Sequence, residues 1–445
     1  VEGAVALVAV LFIPIFSVDG HERFGPFNRI NQNGPREMGW RTTARGLNLN
    51  RDHIKADAPE MQAWLRLFQR WLPDFVVDCH VTDGADYQYV LTYGMSLHES
   101  LDPGLAAWSH DAFLARLLPA MAARGLPLVP YVMFRKWGDP RSGLRAIATP
   151  PRFSDAYAPA QNRPALLVET HMFKDYRTRV EGTYQLLRET LALLAAERTR
   201  LLRLVAAADS ATASPAFRAQ PFPLGWQTGP DSVMVDFLGR RHEVVTSDLT
   251  GGEWVRYGPE PQTWRLPYFH RPVPKTTVDL PEAYLIPPEW SDVIERLQLH
   301  GVALRRLERP ATLTVTSSRL LDPRWAEKPY EGRHPLTCEV EDFVEERVFP
   351  AGTAVVDLAQ RAARVIVNAL DARSEESFLA WGFFDTVFEQ KEYAENYVME
   401  AKAREMLAAD PALAAEFAGR KAADPAFAAD QQAILDWFLR RTPYW

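Results

Sequence analysis

Cysteine is almost missing. Cys79 and Cys338 are the only two in 445 residues, and no C-x-x-C pair occurs, which excludes a disulfide framework and a thiolate metal cluster. Blocks of like charge are missing too. Lys and Arg number 50 against 57 Asp and Glu, a net charge of −7, so nothing suggests a field for nucleic acid or anionic lipid. There is no internal repeat and no low-complexity tract. No apolar run is long enough to span a bilayer: the opening one, Ala4 to Phe16, has 13 residues, where about 20 are needed. No Lys or Arg precedes it, as a signal peptide requires, and Glu2 is the only earlier charge. Its Val, Leu, Ile and Phe content and the Ser17-Val18-Asp19-Gly20 turn after it suit a buried central strand. A chain opening on a central strand implies residues ahead of Val1.

What is present is ample for a large core and for two or three domains. Residues 21 to 55 read as one long loop, with seven basic side chains (Arg23, Arg29, Arg36, Arg41, Arg45, Arg51, Lys55) against Glu22, Glu37 and Asp52. Connections of this length are commonly functional. Helix patterns at 58–72 and 108–123 alternate with strand patterns at 75–79, 128–134 and 165–168. A long helical repeat of leucines from Tyr176 to about Ala207 then closes an α/β domain over residues 1–206. Residues 216–350, proline-rich with short strand patterns such as 232–238 and 311–316, read as a mixed β-rich domain. Residues 351–445 read as a helical part.

Residues suited to chemistry gather in the first 180 positions. His80, in Asp78-Cys79-His80, follows a strand, where open α/β sheets present ligands, and a neutral imidazole there suits zinc or a structural hydrogen bond. Asn50-Arg51 ends the basic loop, and the arginine fork with an adjacent amide suits capture of a carboxylate. Glu169 ends the apolar run Leu166-Leu167-Val168, a place where burial can prepare a carboxylate as a general base, or where it simply pairs with an arginine.

From about Leu11 to Leu204 the chain resembles the zinc metallocarboxypeptidases of the carboxypeptidase A-like fold. The resemblance runs through Ser17-Val18-Asp19-Gly20, Asn28-Arg29-Ile30-Asn31, Leu47-Asn48-Leu49-Asn50-Arg51-Asp52, Asp78-Cys79-His80 and Leu167-Val168-Glu169-Thr170, in the family's order. It implies a mixed β-sheet flanked by helices, with His80 as the third zinc ligand and Asn50 and Arg51 as binders of a substrate's free carboxylate. Arg29 is implied as oxyanion stabiliser, Glu169 as general base and Tyr157 as the mobile active-site tyrosine. The implied function is hydrolysis of C-terminal peptide bonds by zinc-activated water. The implied partner is a peptide or protein with a free C-terminus, with no nucleic acid and no membrane insertion. Related bacterial enzymes are often exported, which raises secretion or the periplasm as an expectation.

The sequence departs from the family at the metal. The family's other two ligands come from His-x-x-Glu, and none of the ten histidines has Glu three positions later. The expectation is therefore a peptidase fragment that is inactive as it stands. A deacylase or amidase of the same fold acting on N-acyl amino acids, and a metal-free carboxylate-binding pseudoenzyme, are the alternatives.

Overall fold

The structure is a computed structural model that describes residues 7–82, 84–96, 101–136, 138–389 and 391–445. The chain is α/β. Its site-bearing sheet has four strands, β1 (Val76–Thr82), β2 (Leu91–Gly94), β3 (Leu128–Pro130) and β5 (Ala165–His171), in the spatial order β1-β5-β2-β3; the short β4 (Leu144–Arg145) belongs to another sheet. The sheet is mixed: β5 runs parallel to β1 and antiparallel to β2, and β2 runs parallel to β3. An unbroken apolar run makes β5 central, and every one of its residues is buried.

Helices cover this sheet for reasons visible in their residues. Pro59–Trp71 starts on a proline suited to a first turn and buries Met61, Leu65 and Phe68, one stripe at helical spacing. Asp102 caps Pro103–Trp108, which continues through a π-helical turn, Ser109–Leu114, into Ala115–Ala123. Trp108, Phe113 and Leu117 from these turns pack with Leu166 and Val168 of β5 and Leu186 of the long helix Tyr176–Thr212. Each such side chain contributes about 1.5–3 kcal/mol by leaving water. Gly182 lets that helix approach the sheet, since a Cβ there would sit 3.0 Å from Val90.

The apolar opening run is not the expected strand. Residues 7–16 hold no strand and Phe12 is 76% exposed; residues 4–6 lie outside the described residues. A strand needs a neighbour to take its N–H and C=O groups, and no strand of the described sheet pairs with this segment, so composition alone does not produce one.

After Thr212 the sheets are mainly antiparallel. β6 (Phe222–Thr228) pairs with β9 (Pro272–Val278), and β7 (Val233–Thr246) pairs with β8 (Glu253–Phe269), to which β4 adds in parallel. β10 (Ala283–Ile286) and β11 (Arg305–Arg306) flank β14 (Ala354–Asp357), and β12 (Ala311–Trp325) pairs with β13 (Leu336–Phe349). Phe237 and Trp264 of the β7–β8 hairpin pack on Tyr87, Tyr89 and Phe134, which ties the hairpin to the segments around β2 and β3.

The chain divides into two compact units, one ending at Phe383 and one beginning at Phe384. The second is helical: Asn396–Ala409, Pro411–Ala423, Pro425–Ala429 and Gln431–Leu439 surround Met399, Phe427, Trp437 and Phe438. Asp410, Asp424 and Asp430 cap three of these helices, and proline follows two of the caps. Among the described residues no helix is long and apolar enough to cross a membrane.

Candidate active site

Parallel pairing sets the centre of the site. The β1–β5 register puts His80 opposite Glu169, at the carboxyl ends of two parallel strands where α/β sheets hold ligands. Residues of one strand alternate between faces, so Asp78 shares the face of His80. The two are bonded, His80 Nε2 to Asp78 Oδ2 at 2.6 Å, and Ser154 Oγ donates to the same carboxylate oxygen at 2.6 Å. Burial opposes charge on His80, yet Asp78, with Glu169 and Asp155 farther off, pushes its pKa up to about 9. Burial likewise opposes charge on Asp78, and His80, Ser154 and His53 outweigh it to hold the carboxyl at about 2. The pair is therefore an imidazolium and a carboxylate at neutral pH.

Asn50 and Arg51 lie beside this pair. A turn from Leu49 to Arg51 is closed by Asn48, whose side-chain oxygen accepts from Asn50 N–H at 3.1 Å. Beneath it Asp52 is fully buried and accepts from the Ala58 and Asp57 N–H groups, at 2.7 and 3.0 Å, and from the buried Lys55 ammonium. Asn50 reaches across to Ser154, accepting its N–H at 3.0 Å, and its amide nitrogen sits 3.5 Å from His80 Nε2. Arg51 donates to the Asn50 carbonyl at 2.7 Å and lays its guanidinium over the Phe153 ring, 4.1 Å from the centroid.

These residues face one open cavity of about 1520 Å³, lined by Arg29, Asn50, Arg51, His80 and Glu169 together. Five of the six residues singled out from the sequence thus meet at one place. Arg29 has a left-handed backbone, φ +57°, a strained conformation for a side-chain-bearing residue that is common at functional sites. Gln32, with its amide oxygen turned toward Arg29, accepts from Arg29 Nε and Nη2 at 3.1 and 2.6 Å. Glu169 is 8% exposed.

Tyr157 is the exception. It is fully buried in the short helix Ser154–Ala160 and does not line the cavity. Its hydroxyl meets His300 Nδ1 at 2.9 Å and accepts from Gln161 at 3.0 Å. The helix turns Tyr157 inward, toward Trp64 and Phe68, so the expected substrate-binding position is corrected to a packing one.

The implied zinc fails a fit test. Zinc takes three protein ligands at a hydrolytic centre, and among the described residues no three His, Cys, Asp or Glu side chains come together to hold a metal. His80 Nε2 is already bonded to Asp78. Sequence reading overlooked Asp78, Ser154 and Phe153. For Asp78 the signal was available, since Asp-x-His on a strand places both side chains on one face.

No family model matches the chain, and no solved structure matches it. Curated relatives do. Carboxypeptidase 2 of Trichophyton tonsurans is 23% identical over 361 residues, 77% of this chain and 63% of that protein. Carboxypeptidase 2 of Trichophyton equinum matches to the same extent, 23% over 361 residues. A probable carboxypeptidase 2 of Arthroderma benhamiae is 31% identical over 97 residues, 22% of this chain and 18% of that protein. The chain spans 63% of the length of the first of these relatives.

Proposed function

We propose that this protein is a carboxypeptidase-type hydrolase whose cavity takes up the free C-terminal carboxylate of a peptide. The observation that carries the reading is the convergence of Asn50, Arg51, Arg29, His80 and Glu169 on one cavity; the names of the relatives agree with it. The Arg51 guanidinium lies over the Phe153 ring, and the N–H groups beyond the one given to the Asn50 carbonyl are the donors a carboxylate would take. Glu169, on the neighbouring strand, is the group in the cavity suited to accept a proton from attacking water, and Arg29 supplies positive charge for an oxyanion. Among the described residues no three His, Cys, Asp or Glu side chains come together to hold a metal.

One observation favours a second reading. The closed Asp78–His80 ion pair leaves the carboxylate clamp intact while engaging the nitrogen a metal would need, as a metal-free module that binds peptide C-termini would. One experiment separates the readings. Zinc content is measured by atomic emission after dialysis against buffered zinc. In parallel, binding and cleavage are followed for a peptide with a free C-terminus, its C-terminal amide and an N-acyl amino acid. The hydrolase reading requires cleavage of the free peptide and of neither control. Carboxylate-dependent binding without cleavage selects the binding module, and cleavage confined to the N-acyl amino acid selects a deacylase. Equal affinity for peptide and amide removes Arg51 from the role given to it.

A further inference from the structure

The cavity is strongly cationic inside an acidic protein. Arg29, Arg41, Arg51, Arg179 and Arg271 line it, against Asp78, Asp155 and Glu169, although the whole chain carries −7. Two of the carboxylates are already engaged: Asp78 is paired with His80, and Asp155 is buried and accepts from Thr149 at 2.7 Å. Among the described residues no carboxylate lies within the 4.0 Å of an ion pair from Arg41, Arg51, Arg179 or Arg271.

Each of the additional cations comes from a different segment. Arg41 belongs to the long basic loop and Arg179 to the first turns of Tyr176–Thr212, while Arg271 sits at the corner between β8 and β9. Arg179 is buried and held by neutral acceptors only. Its Nε donates to the Lys174 carbonyl at 3.1 Å and its Nη2 donates to the carbonyls of Asn33, at 3.0 Å, and Gly34. Burial pulls its pKa down, while Tyr176 and Asp175 act the other way from farther off; Nη1 carries two further N–H donors. The Arg271 backbone is fixed by Gly229, whose N–H donates to the Arg271 carbonyl at 3.1 Å. A Cβ on Gly229 would fall 2.3 Å from that oxygen, so only glycine allows the approach. A terminal carboxylate needs one arginine fork. Arg41, Arg179 and Arg271 add positive charge to the cavity beyond the one fork a terminal carboxylate requires.

We infer that the cavity selects peptides carrying carboxylate side chains in the residues just ahead of the C-terminus, with Arg41, Arg179 and Arg271 receiving them. This rests on the reading of Arg51 as the holder of the terminal carboxylate. The test uses the full chain and fluorescence anisotropy. The ligands are Gly-Glu-Glu-Glu-Phe, Gly-Gln-Gln-Gln-Phe, the C-terminal amide of the first, and a short single-stranded oligonucleotide as competitor. The acidic peptide should bind roughly tenfold or more tightly than the neutral one at low salt, with the difference shrinking as salt screens the charges. In the double variant Arg41→Gln, Arg271→Gln the acidic advantage should fall several-fold. If that variant does not fold, the peptide comparison and salt titration on the unaltered chain decide. Equal affinity for acidic and neutral peptides, both weakened by amidation, overturns the inference and keeps the clamp. Acidic preference that survives amidation undiminished overturns the clamp instead. An oligonucleotide that displaces better than the acidic peptide overturns the peptide assignment, and absence of binding by every peptide overturns both.

Discussion

Arg51 packs on an aromatic ring and donates to a carbonyl, and among the described residues it makes no salt bridge with a carboxylate. Arg51→Ala should weaken binding of a free-carboxylate peptide by about 2–5 kcal/mol, the cost of truncating one partner of a buried charge pair. Titration calorimetry of the variant checks this, and an unchanged Kd would sink the clamp. Tyr157→Phe should behave in the opposite way. Removing a buried hydroxyl from His300 and Gln161 costs about 1 kcal/mol of stability and should leave peptide affinity within about twofold. The histidines beneath it set a pH dependence. Burial pushes His300 and His53 from an ordinary 6.5 down to about 4, and His300 is bonded through both nitrogens, to Tyr157 and to the Ile54 carbonyl. The unfolded chain binds these protons first. Stability is therefore complete above pH about 6.5 and falls as pH is lowered toward 4, on the order of 3 kcal/mol for each histidine. Urea midpoints measured from about pH 7 to 4.5 should follow that slope, and a flat profile would contradict the neutral assignment. That Asn50, Arg51 and Glu169 line one cavity agrees with the short local motifs each lies in. Tyr157 was misplaced because position ahead of β5 says how far along the chain a side chain lies and not which way a helix turns it.

At the scale of elements, the turn that presents Asn50 and Arg51 depends on the buried charges below it. Lys55 and Asp52 are both fully buried and paired with each other; Lys55 also lies 3.4 Å from Asp57 and 5.6 Å from the Trp381 ring centroid. Asp57 is gripped in turn by Arg333 through two hydrogen bonds, at 2.7 and 2.8 Å. A loop that looked merely basic in sequence is thus anchored to segments nearly 300 positions away, a pairing local patterns cannot show. Asp52→Ala takes the principal partner from a buried ammonium and the acceptor from the Asp57 and Ala58 N–H groups, and should cost about 3–5 kcal/mol. The paired change Asp52→Leu, Lys55→Met removes the unpaired charge and should cost less. Chemical denaturation of both variants tests this, and a double variant less stable than Asp52→Ala would show that the hydrogen bonds, not the charge, matter. The strands themselves were read correctly where apolar composition coincided with a neighbour, as in β5 paired on both sides. They were misread at residues 7–16, where the same composition has no described strand beside it.

At the scale of the molecule, the helical ending was legible from its alanine-rich periodicity, while the long hairpins of the β-rich part were seen only as fragments. Strand pairing over 13 residue pairs between β12 and β13 is a property of two distant segments together. The division after Phe383 has a consequence for stability. Residues 384–445 hold their own apolar cluster, with Trp437 and Phe438 against Phe417 and Phe427, and their own caps. Arg441 adds a cation over the Trp437 ring, 3.7 Å from its centroid, an arrangement worth about 0.5–2 kcal/mol. A unit of this size buries only about 60% of its unfolded surface and is of marginal stability. It should therefore melt at a lower temperature than the rest of the chain, giving calorimetry two transitions, the smaller one retained by a fragment spanning residues 384–445 and lost on Trp437→Ala. A single transition for the whole chain, with no cooperative melt in the fragment, would mean that this helical cluster does not stand as an independent folding unit.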